Sequence, residues 1–200
     1  AQYIDQVISH LSSGMSARSI ENISEIKSYL NEYNLITLKP VIYVCNVDEN
    51  SIIDGNKFSA SFKDHIKSNI ILISADIESQ IATLSNEEQS DFLSSLGLEE
   101  SGLNKIIREG YDTLNLITYF TSGEMESRAW TIEKNTLAPD AAGKIHTDFK
   151  SGFIRAETIS SEDFITCKGE TKARELGKLR SEGKEYVVQD GDVMHFLFNN

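Results

Sequence analysis

The stretch "KPVIYVCNVDEN", Lys39 to Asn50, decides how the first half of the chain is read. Val41 to Cys45 is an apolar, largely β-branched run that passes directly into Asn46, Val47, Asp48 and Glu49. A short apolar run ending in polar turn residues is the pattern of a buried strand. In open α/β folds such strands deliver their last polar residues to the crevice beyond the carboxyl edge of the sheet, where ligands bind. Outward from it, residues 56–67 read as a polar helix, and "NIILISAD" from Asn69 as a second buried strand ending in Ser74 and Ala75. Helices follow over Ile77–Leu84, Asn86–Leu96 and Ser101–Leu114; Ser85 with Glu88 forms a capping box for the second, which Gly97 closes. Strands alternating with helices imply a parallel sheet, and two strands are too few to complete one. The remaining strands are expected upstream of Ala1. An uncovered edge on strand 41–45 leaves self-association open.

The pattern divides the chain into three parts. Residues 1–36 read as helix, break, helix, with Ile4, Val7, Ile8 and Leu11 in one stripe and Ile20, Ile23, Ile26, Leu30 and Leu35 in the next. So narrow an apolar face is expected to need a partner from outside the segment. Residues 37–114 carry the strand and helix alternation. Residues 115–200 change to short strands rich in β-branched and aromatic residues: "LNLITYFT", "SRAWTIEK", "GFIRAETI", "EYVVQ" and "VMHFLF". Turn or helix lies between them, with Asp190-Gly191 as a tight turn before the last strand. The fold class is therefore α/β plus α+β, the last part a small module of the β-grasp kind.

Composition narrows the function classes. Hydrophobic residues make up 40% of the 200-residue chain, enough for one real core or two modest ones. No apolar run approaches the roughly 18–20 residues of a membrane span, so a cytoplasmic protein with no membrane partner is expected. Cys45 and Cys167 have no metal or disulfide spacing and read as small buried hydrophobes. A net charge of −12 argues against non-specific nucleic-acid coating. One segment departs from that sign: Lys168, Lys172, Arg174, Lys178, Arg180 and Lys184 outnumber their acidic neighbours. They read equally as a solvated helix face or as a contact for ribosomal or other structured RNA.

Asn46 and Glu49 carry the sharpest chemistry. In nucleotide-binding proteins of the P-loop GTPase type, a strand ends in Asn-Lys-x-Asp; the Asn amide braces the loops and the Asp accepts two donors from the guanine edge. Here the motif is Asn46-Val47-Asp48-Glu49, with Val in place of Lys and Glu in place of Asp. Guanine offers adjacent ring and exocyclic N–H donors, whereas adenine offers only its exocyclic amine beside an acceptor. A carboxylate one methylene longer weakens a strict guanine preference, and Val47 is expected to lay an apolar surface against the base. Alone, N-x-x-E is a weak signal. Ser74-Ala75, one βα unit later, strengthens it, because in the same fold class that second loop gives backbone N–H groups to the base.

Over longer stretches the chain resembles a known family. "LGLEESGLNKIIREGYDTLNLITYFTSGEMESRAWTIEKNTLAPDAAGKIHTDFKSGFIRAETISSEDFI" and "GKLRSEGKEYVVQDGDVMHFLFN" resemble the C-terminal region of the YchF or Obg-like ATPase family. The resemblance spans essentially the whole chain and is most specific over residues 96–200. It implies that residues 1–36 are the returning part of a helical arm, 37–114 the C-terminal part of a P-loop nucleotide-binding domain, and 115–200 a TGS domain of β-grasp fold. It further implies ribosome association, and ATP binding and hydrolysis in preference to GTP, with base recognition attached to Asn46, Val47, Glu49, Ser74 and Ala75. ATP with magnesium is the implied cofactor set of the full-length protein. No G-x-x-x-x-G-K-[ST] occurs in the sequence, so this chain alone is expected to have no catalytic or metal-ligating residues, to bind nucleotide weakly and to be inactive. The alternative is a stand-alone, non-catalytic RNA or ribosome-binding module.

Other candidates read as structural. His146 and His195 lack partners at ligand spacing, Asp190 and Asp192 flank a glycine as turn residues, and Trp130, Tyr119 and Phe120 fall in strands where core packing outweighs base stacking.

Overall fold

The computed structural model describes residues 2–123 and 125–199. The chain divides into two compact units, one up to Thr113 and the other from Leu114 on. The first two of the three parts expected from sequence thus share a unit.

The first unit begins with helices α1 (Gln2–Ser12) and α2 (Ile23–Leu30). Val7, Ala17, Ile20, Ile26 and Leu30 are buried together, with Leu11, Ile23, Leu35 and Leu38 packed against them. Part of this cover, Leu38, comes from beyond residue 36, and Ile4 and Ile8 of the first stripe stay 44% and 57% exposed. Asn22 and Asn34 adopt left-handed backbone, which Asn tolerates, and the chain turns back so that Leu35 and Leu38 cover the stripe. The Ala17 N–H donates to Thr37 Oγ1 at 3.0 Å and fixes that return.

Next come β1 (Val44–Asn46), α3 (Lys57–Ile66), β2 (Ile71–Ile73), α4 (Ala75–Ile81), α5 (Asn86–Ser95) and α6 (Gly102–Thr113). The two strands pair in parallel, Val44 with Ile71, Cys45 with Leu72 and Asn46 with Ile73. β1 is shorter than the apolar run that foretold it, and Val41 and Val44 stand 40% exposed. Among the described residues, β2 is the one strand that pairs with β1. Helix starts are local, as expected. Asn56 Oδ1 accepts from the Phe58 and Ser59 N–H groups at the head of α3, and Ser85 exchanges hydrogen bonds with Glu88 at the head of α5. Gly97 ends α5 at φ +72°, and Gly102 lets α6 approach β2 so closely that a Cβ there would meet Ile73 Cγ2 at 2.7 Å.

The second unit contains β3 (Leu116–Ser122), β4 (Ser127–Glu133), α7 (Ala138–Ile145), α8 (Thr147–Ser151), β5 (Phe153–Ser160), α9 (Ser161–Thr166), α10 (Glu170–Glu175), β6 (Arg180–Glu182) and β7 (Asp192–Phe198). These strands form a five-stranded mixed sheet in the order β4-β3-β7-β5-β6. β3 runs parallel to β7 and the other pairs are antiparallel. Ile117, Tyr119, Ile132, Phe153, Ala156, Met194 and Phe196 pack against Ala138, Ala141 and Ala142 of α7, where small residues let the helix sit close to the sheet. A second cluster joins Ile159 and Val193 to Cys167 and Ala173. Two expectations are corrected. "EYVVQ" forms only an isolated bridge, Val187 with Leu137, because its backbone pairs with the loop entering α7. Arg180–Glu182, expected as turn or helix, is a strand on the edge of β5.

Tyr119 is fully buried, and its hydroxyl donates to the Ala141 carbonyl at 2.8 Å, tying sheet to helix. Burial also raises its pKa well above the ordinary tyrosine range. Tyr119→Phe removes that buried hydrogen bond, so stability should fall by about 1 kcal/mol, read as a lower urea midpoint at unchanged slope. An unchanged midpoint would show that the hydroxyl does not join helix to sheet.

Candidate functional site

Because β1 and β2 are parallel and in register, their carboxyl ends lie side by side, and so do the loops that follow them. The Val47 N–H donates to the Ile73 carbonyl at 2.8 Å and carries the pairing one residue past the strand. Immediately beyond, Asn46 Oδ1 accepts the Ala75 N–H at 3.0 Å. This bond spans 29 residues and closes one loop onto the other. Four of the five residues expected at the site, Asn46, Glu49, Ser74 and Ala75, are gathered at this edge.

Val47 is the exception. Its side chain is 9% exposed and packed with Ile52, Ile77 and Ile81, so it supports the loop from below and offers no surface to a ligand. The physical reason is alternation: in extended backbone, Asn46 and Val47 point to opposite sides, and the exposed one is Asn46.

The acids separate by their partners. Ser51 Oγ donates to both Asp48 carboxylate oxygens, at 3.0 and 2.9 Å, folding Asp48 back onto the turn Glu49–Ser51. Glu78 Oε1 and Oε2 accept the Gly102 and Leu103 N–H groups and cap α6. Glu49 differs from both in having a donor on one oxygen only: its side chain is exposed, and Gln80 Nε2 donates to Glu49 Oε1 at 2.9 Å. Ser74 is 1% exposed, and its buried hydroxyl has no hydrogen-bond partner. A buried hydroxyl left unpaired costs free energy, and Thr158 Oγ1 in the second unit is left in the same state.

Gln80 was not legible as a site residue. It lies on α4, 31 residues from Glu49, and a Gln on a short polar helix carries no motif.

The basic run is less cationic in space than in sequence. Arg174 bridges Glu157 at 2.6 Å and Glu170 at 2.9 Å, Lys178 pairs with Asp163 at 3.3 Å, and Arg180 reaches Glu182 at 3.3 Å and the buried Asp192 at 3.5 Å. The hydrogen bond from Arg174 holds the Glu157 carboxyl below its usual range. Lys168, Lys172 and Lys184 are exposed. The run also spans a helix, a turn and an edge strand, so it does not form one helix face.

Of the remaining candidates, His146, Asp190 and Asp192 each hold a structural partner, and His195 is exposed on β7. His146 Nδ1 accepts the Asp148 N–H and caps α8; Asp190 Oδ1 accepts the Thr118 N–H; Asp192 accepts from Tyr186 Oη and the Gln189 N–H. Among the described residues, no group of three or more His, Cys, Asp or Glu side chains is placed to hold a metal ion, and no helix is long and apolar enough to cross a membrane.

With these loops in place, similarity to known proteins bears on what they serve. Residues 116–199 match the family described as "YchF-GTPase_C: Protein of unknown function (DUF933)". The chain is 47% identical over 199 residues to the ribosome-binding ATPase YchF of Escherichia coli O157:H7, covering 98% of this chain and 54% of that protein. It is 48% identical over 188 residues to the protein of the same name in Bacillus subtilis, covering 92% and 51%. This chain belongs to the YchF family. It spans about half the length of the curated relatives it matches and corresponds to their C-terminal portion. The YchF GTPase structure from Schizosaccharomyces pombe superposes with a TM-score of 0.81 at 36% identity, covering 97% of this chain and 53% of that one. A GTP-binding protein from Pyrococcus horikoshii OT3, at 16% identity and a TM-score of 0.56, shares the fold alone; the match covers 100% of this chain and 66% of that one.

Asn46→Ala removes the acceptor that joins the loops. The Ala75 amide should then exchange about five- to tenfold faster, while the amides of β2 keep their protection and Asn46→Asp, which retains an acceptor, keeps the slow rate at Ala75. Equal exchange at Ala75 in wild type and Asn46→Ala would remove the clasp from the account.

Proposed function

We propose that this chain is the C-terminal portion of a ribosome-binding ATPase and that it supplies the base-recognition edge of the nucleotide site. The observation that carries the reading is the clasp between Asn46 and the Ala75 N–H, which holds two βα loops together beside the exposed Glu49 carboxylate. Clasped loops with fixed donors and acceptors suit a planar, hydrogen-bonding ligand, because the groups that meet it need no ordering on binding. Asn46, Glu49, Ser74 and Ala75 then contact the base or brace the loops around it, and Val47 supports them from the core.

The printed names of the relatives divide on the nucleotide, ATPase for the bacterial proteins and GTPase for the fission-yeast structure. Adenine is favoured here by the chemistry of Glu49. Its carboxylate is an acceptor for the single exocyclic amine of adenine, and it stands one methylene further out than the Asp that takes the two donors of guanine. The sequence holds no phosphate loop, so the phosphates and magnesium fall to residues outside this chain. Where it binds, magnesium neutralises charge on the transferring phosphate.

Residues 115–200, as a TGS domain, then serve as the docking part for the ribosome. A self-sufficient RNA-binding module is the weaker reading, because Arg174, Lys178 and Arg180 are already neutralised by carboxylates of their own unit.

Glu49→Ala in the protein at its native length should weaken ATP binding about tenfold and GTP binding less, measured as equilibrium dissociation constants. Unchanged base preference would contradict the role given to Glu49.

A further inference from the structure

The bond between Gln80 and Glu49 has a consequence for base choice that depends on the reading of Glu49 as the base acceptor. Glu49 sits at the start of a single 3-10 turn with its side chain exposed. A free Glu in that setting samples many rotamers and loses that freedom on binding. Gln80, on the last turn of α4, donates its amide to Oε1 and thereby fixes one oxygen while leaving Oε2 to accept.

We infer that Gln80 is a positioning residue that sets base preference by occupying one oxygen of the Glu49 carboxylate. Guanine presents two parallel N–H donors and gains most from a carboxylate with both oxygens open. With Gln80 against Oε1, that fork is blocked by the amide and one acceptor site is already used. Adenine needs only one oxygen, for its exocyclic amine. The neighbouring ring nitrogen is an acceptor, and a second bare oxygen facing it would repel it. An amide hydrogen on that oxygen removes the repulsion. The same bond therefore disfavours guanine and favours adenine, and it does so before any nucleotide arrives.

Neighbouring side chains leave this pairing undisturbed. Asp48 is turned onto Ser51 and Glu78 onto the head of α6, so neither competes for the Gln80 amide. Gln80 itself is exposed, so replacing it with Ala, a strong helix former, leaves α4 and its core contacts through Ile77 and Ile81 in place.

The test measures dissociation constants for ATP and for GTP on the protein at its native length, with thermal unfolding as a check that each variant folds. Gln80→Ala should lower the preference for ATP over GTP by about three- to tenfold, through weaker ATP binding and stronger GTP binding. Gln80→Glu keeps the size but brings a carboxylate without a donor, and should lose at least as much. Gln80→Lys restores a donor and should recover most of the preference. In a Glu49→Ala background, Gln80→Ala should change nothing further, because its effect passes through that carboxylate. A preference unaltered by Gln80→Ala, or altered equally in the Glu49→Ala background, would overturn the inference. If Glu49→Ala itself leaves the preference intact, the base-site reading falls with it; if Glu49→Ala shifts the preference and Gln80→Ala does not, only the role of Gln80 falls.

Discussion

The parallel register of Val44 with Ile71, Cys45 with Leu72 and Asn46 with Ile73 is the constraint on which the candidate site depends. Parallel pairing sends both strands out of the sheet at the same edge, so two loops that are 29 residues apart in sequence emerge within a hydrogen bond of each other. Asn46 is then the last residue of its strand whose side chain can reach across, and the Ala75 N–H is the donor it meets. A slip of one residue would bury the Asn46 amide and expose Val47. The apolar contacts of Val47, Ile52, Ile77 and Ile81 under the loops oppose that slip, since burying several aliphatic side chains outweighs any single polar contact at the edge.

The two units use different means to hold their parts together. In the first, polar side chains span the junctions between short elements: Asn46 to α4, Glu78 to α6 and Thr37 to the segment after α1. In the second, longer strands carry the pairing, and the apolar cluster around Tyr119, Phe153 and Phe196 holds α7 to the sheet. Its charged rim is self-compensating, with Glu157 on β5 between Arg155 of the same strand and Arg174 of α10, and Arg180 beside Asp192. Cations so engaged lose part of their reach toward a distant polyanion. Among the described residues, the exposed Lys168, Lys172 and Lys184 are the cations of the run that no carboxylate in this unit is shown to pair.

What could be read in the sequence was what is decided locally. The capping box at Ser85 and Glu88, the stop at Gly97 and the helix after Asn56 each depend on groups within a few residues. The Asn46 and Glu49 pair was legible because it closes a strong apolar run. Most of the misses are decided by distant partners. Arg180–Glu182 is a strand because Ala156–Thr158 offers an edge, and its own residues show no apolar alternation. Residues 185–189 have strand composition, but their backbone is committed to the loop entering α7. Val47 reads as a ligand contact because it stands where the Asn-Lys-x-Asp motif has Lys, whereas its direction is set locally by extended backbone, which turns it into the core. Gln80 acquires its meaning only from the fold that brings it to Glu49.

The central claim is that the clasped loops, and not the second unit, meet the nucleotide base. Amide-resolved mapping of the native-length protein during titration with ATP tests it most directly. The account predicts that, within the part of the protein this chain represents, the largest perturbations fall on Asn46, Glu49, Ala75 and the side-chain amides of Asn46 and Gln80, with weaker changes for GTP at equal concentration. Saturation by ATP with those signals unmoved, or with the changes confined to residues 115–199, would contradict it.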